Sequence, residues 1–445
     1  MTACWAMRVA PWALLVSLVG CGSRTGLEDD TGRRPVGAMC GSPRAVDFTG
    51  DGFADVAISE GNVVRLYLGG PSGLRAGPER ALDVDPQGRT PTLRNAGDLD
   101  GDGRAELVAT FRATIRADLP SSPPTPGRVD VIRGDSSGFA ATPAVRPIPT
   151  ETEAGYFGAT AAAAGDMNGD GFADLAVGSL RGRPAFFYAG SAAGLNPIMA
   201  GVTVLDATRD DGTRWVRGVG DFDGDGFDDA VLFGETRALL RFGARDWNGP
   251  LPTVLVTDDR FVGPYVDGVG DVDGDGRPDI FLQQLGPEER LALARGGSRT
   301  ARFDPWVPTI PSARPQGTLR LDGTVDFEGA GDINGDGRAD LLLAGDCWAS
   351  ASGCGARRYH LYAGTAAGLS LQPLATIGQG PWGDNPRVRP VGDVDGDCRD
   401  DVVVVPRRAG ERLWLLRGTA TGFAAPVDVG GRGFAGAVGT AGALP

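Results

Sequence analysis

The chain has 445 residues, 41% hydrophobic and 22% charged, enough for one large domain or a few small ones. Its 71 Gly and 32 Pro point to many tight turns and little long helix. The formal charge of -14, with every basic residue an Arg, argues against a nucleic-acid partner, which would need a basic stripe. The one histidine, His360, lies in the strand-like run RRYHLYAG and excludes a multi-histidine metal site.

At the N-terminus, Arg8 precedes a short apolar core over 12–19, too short to span a bilayer. The core runs into Leu18-Val19-Gly20-Cys21, which resembles the lipobox of bacterial lipoproteins. That resemblance implies a signal peptide over 1–20, lipidation of Cys21, and anchorage in the cell envelope. With Gly22 and Ser23 following and no Asp, it favours the outer membrane. Residues 21–39 read as a flexible tether, holding the domain about 25 Å from the lipid.

From residue 40 to 445 one unit recurs. VDFTGDGFAD (46–55) is followed by GDLDGDGRAE (97–106), GDMNGDGFAD (165–174), GDFDGDGFDD (220–229), GDVDGDGRPD (270–279), GDINGDGRAD (331–340) and GDVDGDCRDD (392–401). The spacing averages about 58 residues, the mark of a repeat architecture. Each acidic stretch is followed by a β-type run such as DLAVG or DVVVV. A second run follows, such as AFFYAG or LWLLRG, and in five copies a turn such as GTATGF. Four short strands fit each unit. Seven small sheets bury both faces only when packed around an axis, so the expected fold is all-β, a seven-bladed β-propeller with an acidic loop between strands 1 and 2 of each blade. GRGFAGAVGTAG (431–442) resembles a further first strand, able to complete the first blade.

The units resemble FG-GAP repeats of the VCBS type, the blades of the integrin alpha-chain propeller. The FG signature itself survives at Phe157-Gly158, in GYFGATAAAAGD.

Counting from the first acid, position 1 is Asp47, Asp98, Asp166, Asp221, Asp271, Asp332 and Asp393. Position 3 is Thr49, Asp100, Asn168, Asp223, Asp273, Asn334 and Asp395. Position 5 is Asp51, Asp102, Asp170, Asp225, Asp275, Asp336 and Asp397. Position 9 is Asp55, Glu106, Asp174, Asp229, Asp279, Asp340 and Asp401. Odd spacing in a tight loop turns these oxygens toward one centre, and hard oxygen donors suit Ca²⁺, at up to seven sites. Carboxylates about 5 Å apart repel by about 3 kcal/mol per pair at an effective dielectric near 20, so an empty loop is costly. No bidentate Glu stands at position 12, which excludes an EF-hand. Thr49 marks the weakest expected site, and the longer Glu106 an altered geometry. Removing residues 1–20 takes away Arg8 and no acid, leaving -15. Seven divalent cations then bring the domain near neutrality.

Cys347 and Cys354 share one short loop and are expected to bridge locally. Cys40 and Cys398 would then staple the first blade to the last, the alternative being two free buried thiols. Long insertions fall between strands 2 and 3 and between strand 4 and the next blade. They suggest a ligand face opposite the acidic loops, carrying Trp306, Trp348 and Trp382. No nucleophile motif is visible. The expected function is a calcium-stabilised, monomeric, lipid-anchored binding or adhesion module with a protein or glycan partner. The alternative is a lectin or polysaccharide lyase on the same propeller.

Overall fold

Each apolar β-run after an acidic loop is buried on both faces, as a strand packed between two sheets must be. Val231 in Asp229–Phe233, Ile280 in Asp279–Leu285, Leu342 in Asp340–Gly345 and Val403 in Asp401–Val405 are all buried. The computed structural model describes residues 46–77, 80–85, 88–111, 127–140, 157–179, 184–196, 201–203, 215–234, 237–246, 253–255, 262–285, 290–299, 303–306, 327–345, 349–350, 353–354, 358–383, 387–405 and 412–430. Among these residues the secondary structure is all β, with no helix.

The described residues form seven principal antiparallel sheets of three or four strands, besides two-stranded hairpins. The third sheet is typical. Phe157–Gly165, Asp174–Ser179, Ala185–Tyr188 and Gly201–Thr203 lie side by side in chain order. In six sheets the first two strands flank an acidic loop; in sheet one only the loop and later strands are described. The turns GDSSGF, GTAAGL and GTATGF form the small hairpins.

Seven apolar clusters fill the seams between successive sheets. Phe48, Leu66 and Leu107 join sheets one and two; Leu99, Phe157 and Tyr188 join two and three. The series ends with Ala54, Val56 and Tyr67 packed on Val391, Val403 and Leu413, so the seventh sheet meets the first. The ring is therefore closed.

Backbone bonds repeat at the same seams. The N–H at loop position 8 donates to the position 1 carbonyl of the preceding loop: Ala105 to Asp47 (2.8 Å), Ala173 to Asp98 (3.0 Å), Ala339 to Asp271 (2.8 Å). The closing seam has it too, from Ala54 to Asp393 (2.9 Å). In the fifth loop position 8 is Pro278, which has no N–H to give.

A glycine stands two residues past the third strand of every blade: Gly69, Gly134, Gly190, Gly243, Gly296, Gly364 and Gly418. A Cβ on Gly190 would stand 2.3 Å from the Ala173 carbonyl and 2.8 Å from that of Leu99, in the preceding sheet. The close approach of two sheets demands glycine there.

Candidate metal centre

The seven acidic loops share one hydrogen-bond plan. The position 1 aspartate sits inside its own loop and accepts the N–H of position 4 at 2.6–2.8 Å. It also accepts that of position 6 at 2.7–2.9 Å. Positive φ at position 4, as in Gly274 at 79°, produces the curl that points these N–H groups inward.

The position 9 acid is a strut. It accepts the position 2 N–H at 2.7–3.1 Å. In six loops its second oxygen accepts the N–H of the seam glycine at 2.8–3.1 Å. Burial first, and then neighbouring acids, push Asp55, Glu106, Asp174, Asp229, Asp340 and Asp401 up to about 8, and Asp279 to about 7, against the backbone N–H bonds, which act to lower them.

The exception is Glu106. Its longer arm bonds Leu99 N–H through Oε2 (2.7 Å), but its buried Oε1 has no hydrogen-bond partner. A buried carboxylate oxygen without a donor suits a cation.

Four loops gather three acids with oxygens within 4.8 Å of one another. They are Asp98, Asp100 and Glu106; Asp221, Asp223 and Asp225; Asp271, Asp273 and Asp279; and Asp393, Asp395 and Asp401. The other three have Thr49, Asn168 or Asn334 at position 3, and among the described residues they form no such triplet of acids. Asn334 instead turns its amide toward Asp340 (3.3 Å). The donor set is all oxygen, and the residues present fit a hard divalent cation.

Sequence reading missed the arginines. Arg133, Arg295, Arg299 and Arg417 lie far along the chain from the loops they reach, yet pair with Asp100, Asp273, Asp223 and Asp395. The available signal was an Arg just before the seam glycine in IRG, ARG and LRG.

Cys398 occupies position 6, where six loops have glycine. It is the one non-glycine residue with positive φ among the described residues, at 68°, and it is disulfide-bonded. Cys21, Cys40 and Cys347 lie outside the described residues, and of Cys354 only the backbone is described, in a two-residue strand.

The expected ligand face needs correction. Phe303–Pro305 is the fourth strand of the fifth sheet, not part of a loop, and Trp306 follows it into the seam. Trp306 is buried, edge-on to Phe281 (5.4 Å) and Tyr362 (4.9 Å), so it offers no surface. Trp348 lies outside the described residues. Trp382 is half-buried in the connection from sheet six to sheet seven, at the end away from the acidic loops. Its Nε1 donates to the Gly378 carbonyl (3.0 Å), and its ring meets Trp414 edge-on at 6.4 Å. Trp414, also half-buried, had no mark in the sequence beyond its strand. His360 is buried, with Nδ1 2.9 Å from Thr376 Oγ1 on the neighbouring strand.

Residues 47–109 and 271–343 match the FG-GAP-like repeat family, and residues 157–193 match the FG-GAP repeat. Solved structures of propeller type resemble the chain. One is an Agrocybe aegerita lectin recognising non-reducing terminal N-acetylglucosamine, with 16% identity and a TM-score of 0.53, over 88% of this chain and 93% of that one. Another is the BP39L lectin of Burkholderia pseudomallei, with 16% identity and a TM-score of 0.51, over 84% of this chain and 98% of that one. A rhamnogalacturonan lyase, YesW, aligns with 14% identity and a TM-score of 0.43, over 87% of this chain and 73% of that one.

Proposed function

Starting from a propeller built of FG-GAP repeats, we propose that the protein is a seven-bladed, calcium-stabilised module that binds glycans without turning them over. Calcium would sit in the loops, held by the acids at positions 1, 3, 5 and 9. The observation that carries this is the Asp98, Asp100 and Glu106 cluster, where a buried carboxylate oxygen lacks any donor. Calcium would take the place of the proton that burial favours on the position 9 acid, and so would act on stability, not chemistry. At ten times Kd each site adds about 1.4 kcal/mol.

The glycan is favoured as ligand class by the fold shared with two lectins and by the half-buried Trp382 and Trp414 pair. Aromatic rings on a rigid scaffold suit the apolar face of a sugar ring. The lipobox-like segment ending at Cys21 supports export and a lipid anchor in the cell envelope, where such a module would serve adhesion. A glycan array probed with and without chelator tests the reading. Calcium-dependent retention of a defined sugar, lost in Trp382→Ala at unchanged melting temperature, is expected. No retention of any glycan, with a protein captured from envelope extract instead, would refute the glycan assignment.

A further inference from the structure

The acidic loops are of two kinds, and the difference between them is answered elsewhere in each sheet. Over positions 1, 3, 5 and 9, loops two, four, five and seven carry four acids, with Asp100, Asp223, Asp273 and Asp395 at position 3; Asp228 and Asp400, at position 8, accept the Asp166 and Asp332 N–H groups of the preceding loops. Loops one, three and six carry three, with Thr49, Asn168 and Asn334 there. In every four-acid loop an arginine pairs with Oδ2 of the position 3 aspartate. Arg133 meets Asp100, Arg299 meets Asp223 (2.6 Å), Arg295 meets Asp273 (3.5 Å) and Arg417 meets Asp395 (3.2 Å).

Arg133, Arg295 and Arg417 share one structural place, the residue between the third strand and the seam glycine. In the three-acid loops that place holds Leu68, Ala189 and Ala363. Sheet four solves the same problem differently. Its residue there is Phe242, and Arg299 comes from sheet five, passes over the Phe242 ring (5.5 Å) and engages Asp223 together with Asp225.

Arginines at loop position 7 show no such matching. Arg104, Arg277, Arg338 and Arg399 cover the position 4 glycine of loops one, four, five and six, whereas Phe172, Phe227 and Phe53 cover those of loops two, three and seven. Arg104 and Arg399 also pair with Asp102 and Asp397 at position 5 of their own loops, but position 7 does not follow the position 3 acid: loop six has Arg338 beside Asn334, and loop four has Phe227 beside Asp223.

We propose that Arg133, Arg295, Arg299 and Arg417 are built-in counter-ions that cancel the position 3 carboxylate, so that in all seven loops this position offers a divalent cation a near-neutral oxygen donor, as Thr49, Asn168 and Asn334 do. This rests on the cation-binding reading of the loops. The aspartates are nearly buried, at 2–8% exposure, while the guanidinium groups stand 42–50% exposed. The acid is fixed and the arginine attenuates its charge from the solvent side. Sites alike in charge at position 3 would load over a narrower range of calcium concentration.

A triple and a sextuple variant decide the matter. The first carries Arg133→Ala, Arg295→Ala and Arg417→Ala. The second adds Asp100→Asn, Asp273→Asn and Asp395→Asn, copying the Asn and Ala of loops three and six. A dication and a guanidinium about 6 Å apart in a water-like dielectric correspond to about a tenfold change in affinity. By calorimetry, the first variant should therefore bind calcium about tenfold more tightly at three sites. In chelator its urea midpoint should fall below wild type. The second variant should return both quantities to wild type. Calcium affinity unchanged or weakened in the first variant, or a second variant no better than the first, would overturn the proposal. If wild type takes up no calcium, the reading of the loops fails, and the chelator comparison still decides the charge pairing by whether the second variant recovers.

Discussion

Asp229→Ala separates the structural role of a position 9 acid from any role in holding metal. The Asp229 side chain is fully buried, with Oδ2 accepting the Phe222 N–H at 3.0 Å and Oδ1 the Gly243 N–H at 2.8 Å. The first bond ties down the loop and the second ties the third strand to it. Alanine leaves both donors buried with no acceptor, at about 1–3 kcal/mol each, so the expected loss is about 2–6 kcal/mol. Asp229→Asn keeps one acceptor and turns an amide donor toward the other N–H, so about half that loss is expected. Asp225→Ala is the control. That residue belongs to the acid triplet of the same loop, which Asp229 does not join, and holds the Phe227 N–H within the loop, at 3.0 Å, besides pairing with Arg299. The assay is urea unfolding with chelator and with calcium. Asp229→Ala should lose stability in both, and Asp225→Ala mainly the calcium increment. If the two variants were indistinguishable in chelator, or Asp229→Ala lay within about 0.5 kcal/mol of wild type there, the strut would not exist.

Further outcomes follow from the same geometry. Burial raises the position 9 acids from ordinary values near 4 to about 7–8, so the folded chain binds more protons than the unfolded one between those limits. Their contribution is thus complete below about pH 4 and is lost as pH rises through about 8. Melting temperature in chelator should fall from pH 5 to pH 8, and calcium should raise it more at pH 8; a flat profile would contradict this. Cys398→Gly should change sign with redox state. Under reducing conditions glycine relieves the positive φ by about 1 kcal/mol, whereas under oxidising conditions loss of the disulfide costs about 2–4 kcal/mol. Chemical denaturation with and without reductant reads both, and peptide mapping tests Cys40 as the partner. Gly190→Ala should cost at least about 3 kcal/mol, because the new methyl meets two backbone carbonyls that cannot yield. Gly171→Ala, facing open space, should cost only about 1–2 kcal/mol for its φ of 93°.

The sheets were legible because the acidic loop and the strand after it carry their signals locally. Aspartates at odd positions and runs such as DVVVV need no distant partner to be recognised. The seam glycines were visible as the ends of YAG and LRG, but their reason, a carbonyl of the previous sheet, lies far along the chain, as Leu99 does from Gly190. Distance also hid the arginines, since nothing local distinguishes an Arg beside a carboxylate from one in solvent. Trp306 misled for a related reason. It opens a stretch rich in proline, which reads as surface, yet the three residues before it pair with Arg290–Ala294 and carry the indole inward. Trp414 was invisible as a neighbour of Trp382 because strand alternation says which face a residue takes, not which loop covers it.

The seam between the seventh and first sheets uses the same bonds as the seams between sheets consecutive in the chain. Gly70 N–H meets the Val394 carbonyl at 2.9 Å, just as Ser191 N–H meets that of Leu99 at 3.0 Å. An open stack of repeats frays from its ends, where the outermost unit has one neighbour. Here every unit has two, so no sheet can peel away cheaply, and removing any one breaks two joints at once. Denaturation should therefore proceed as a single cooperative event.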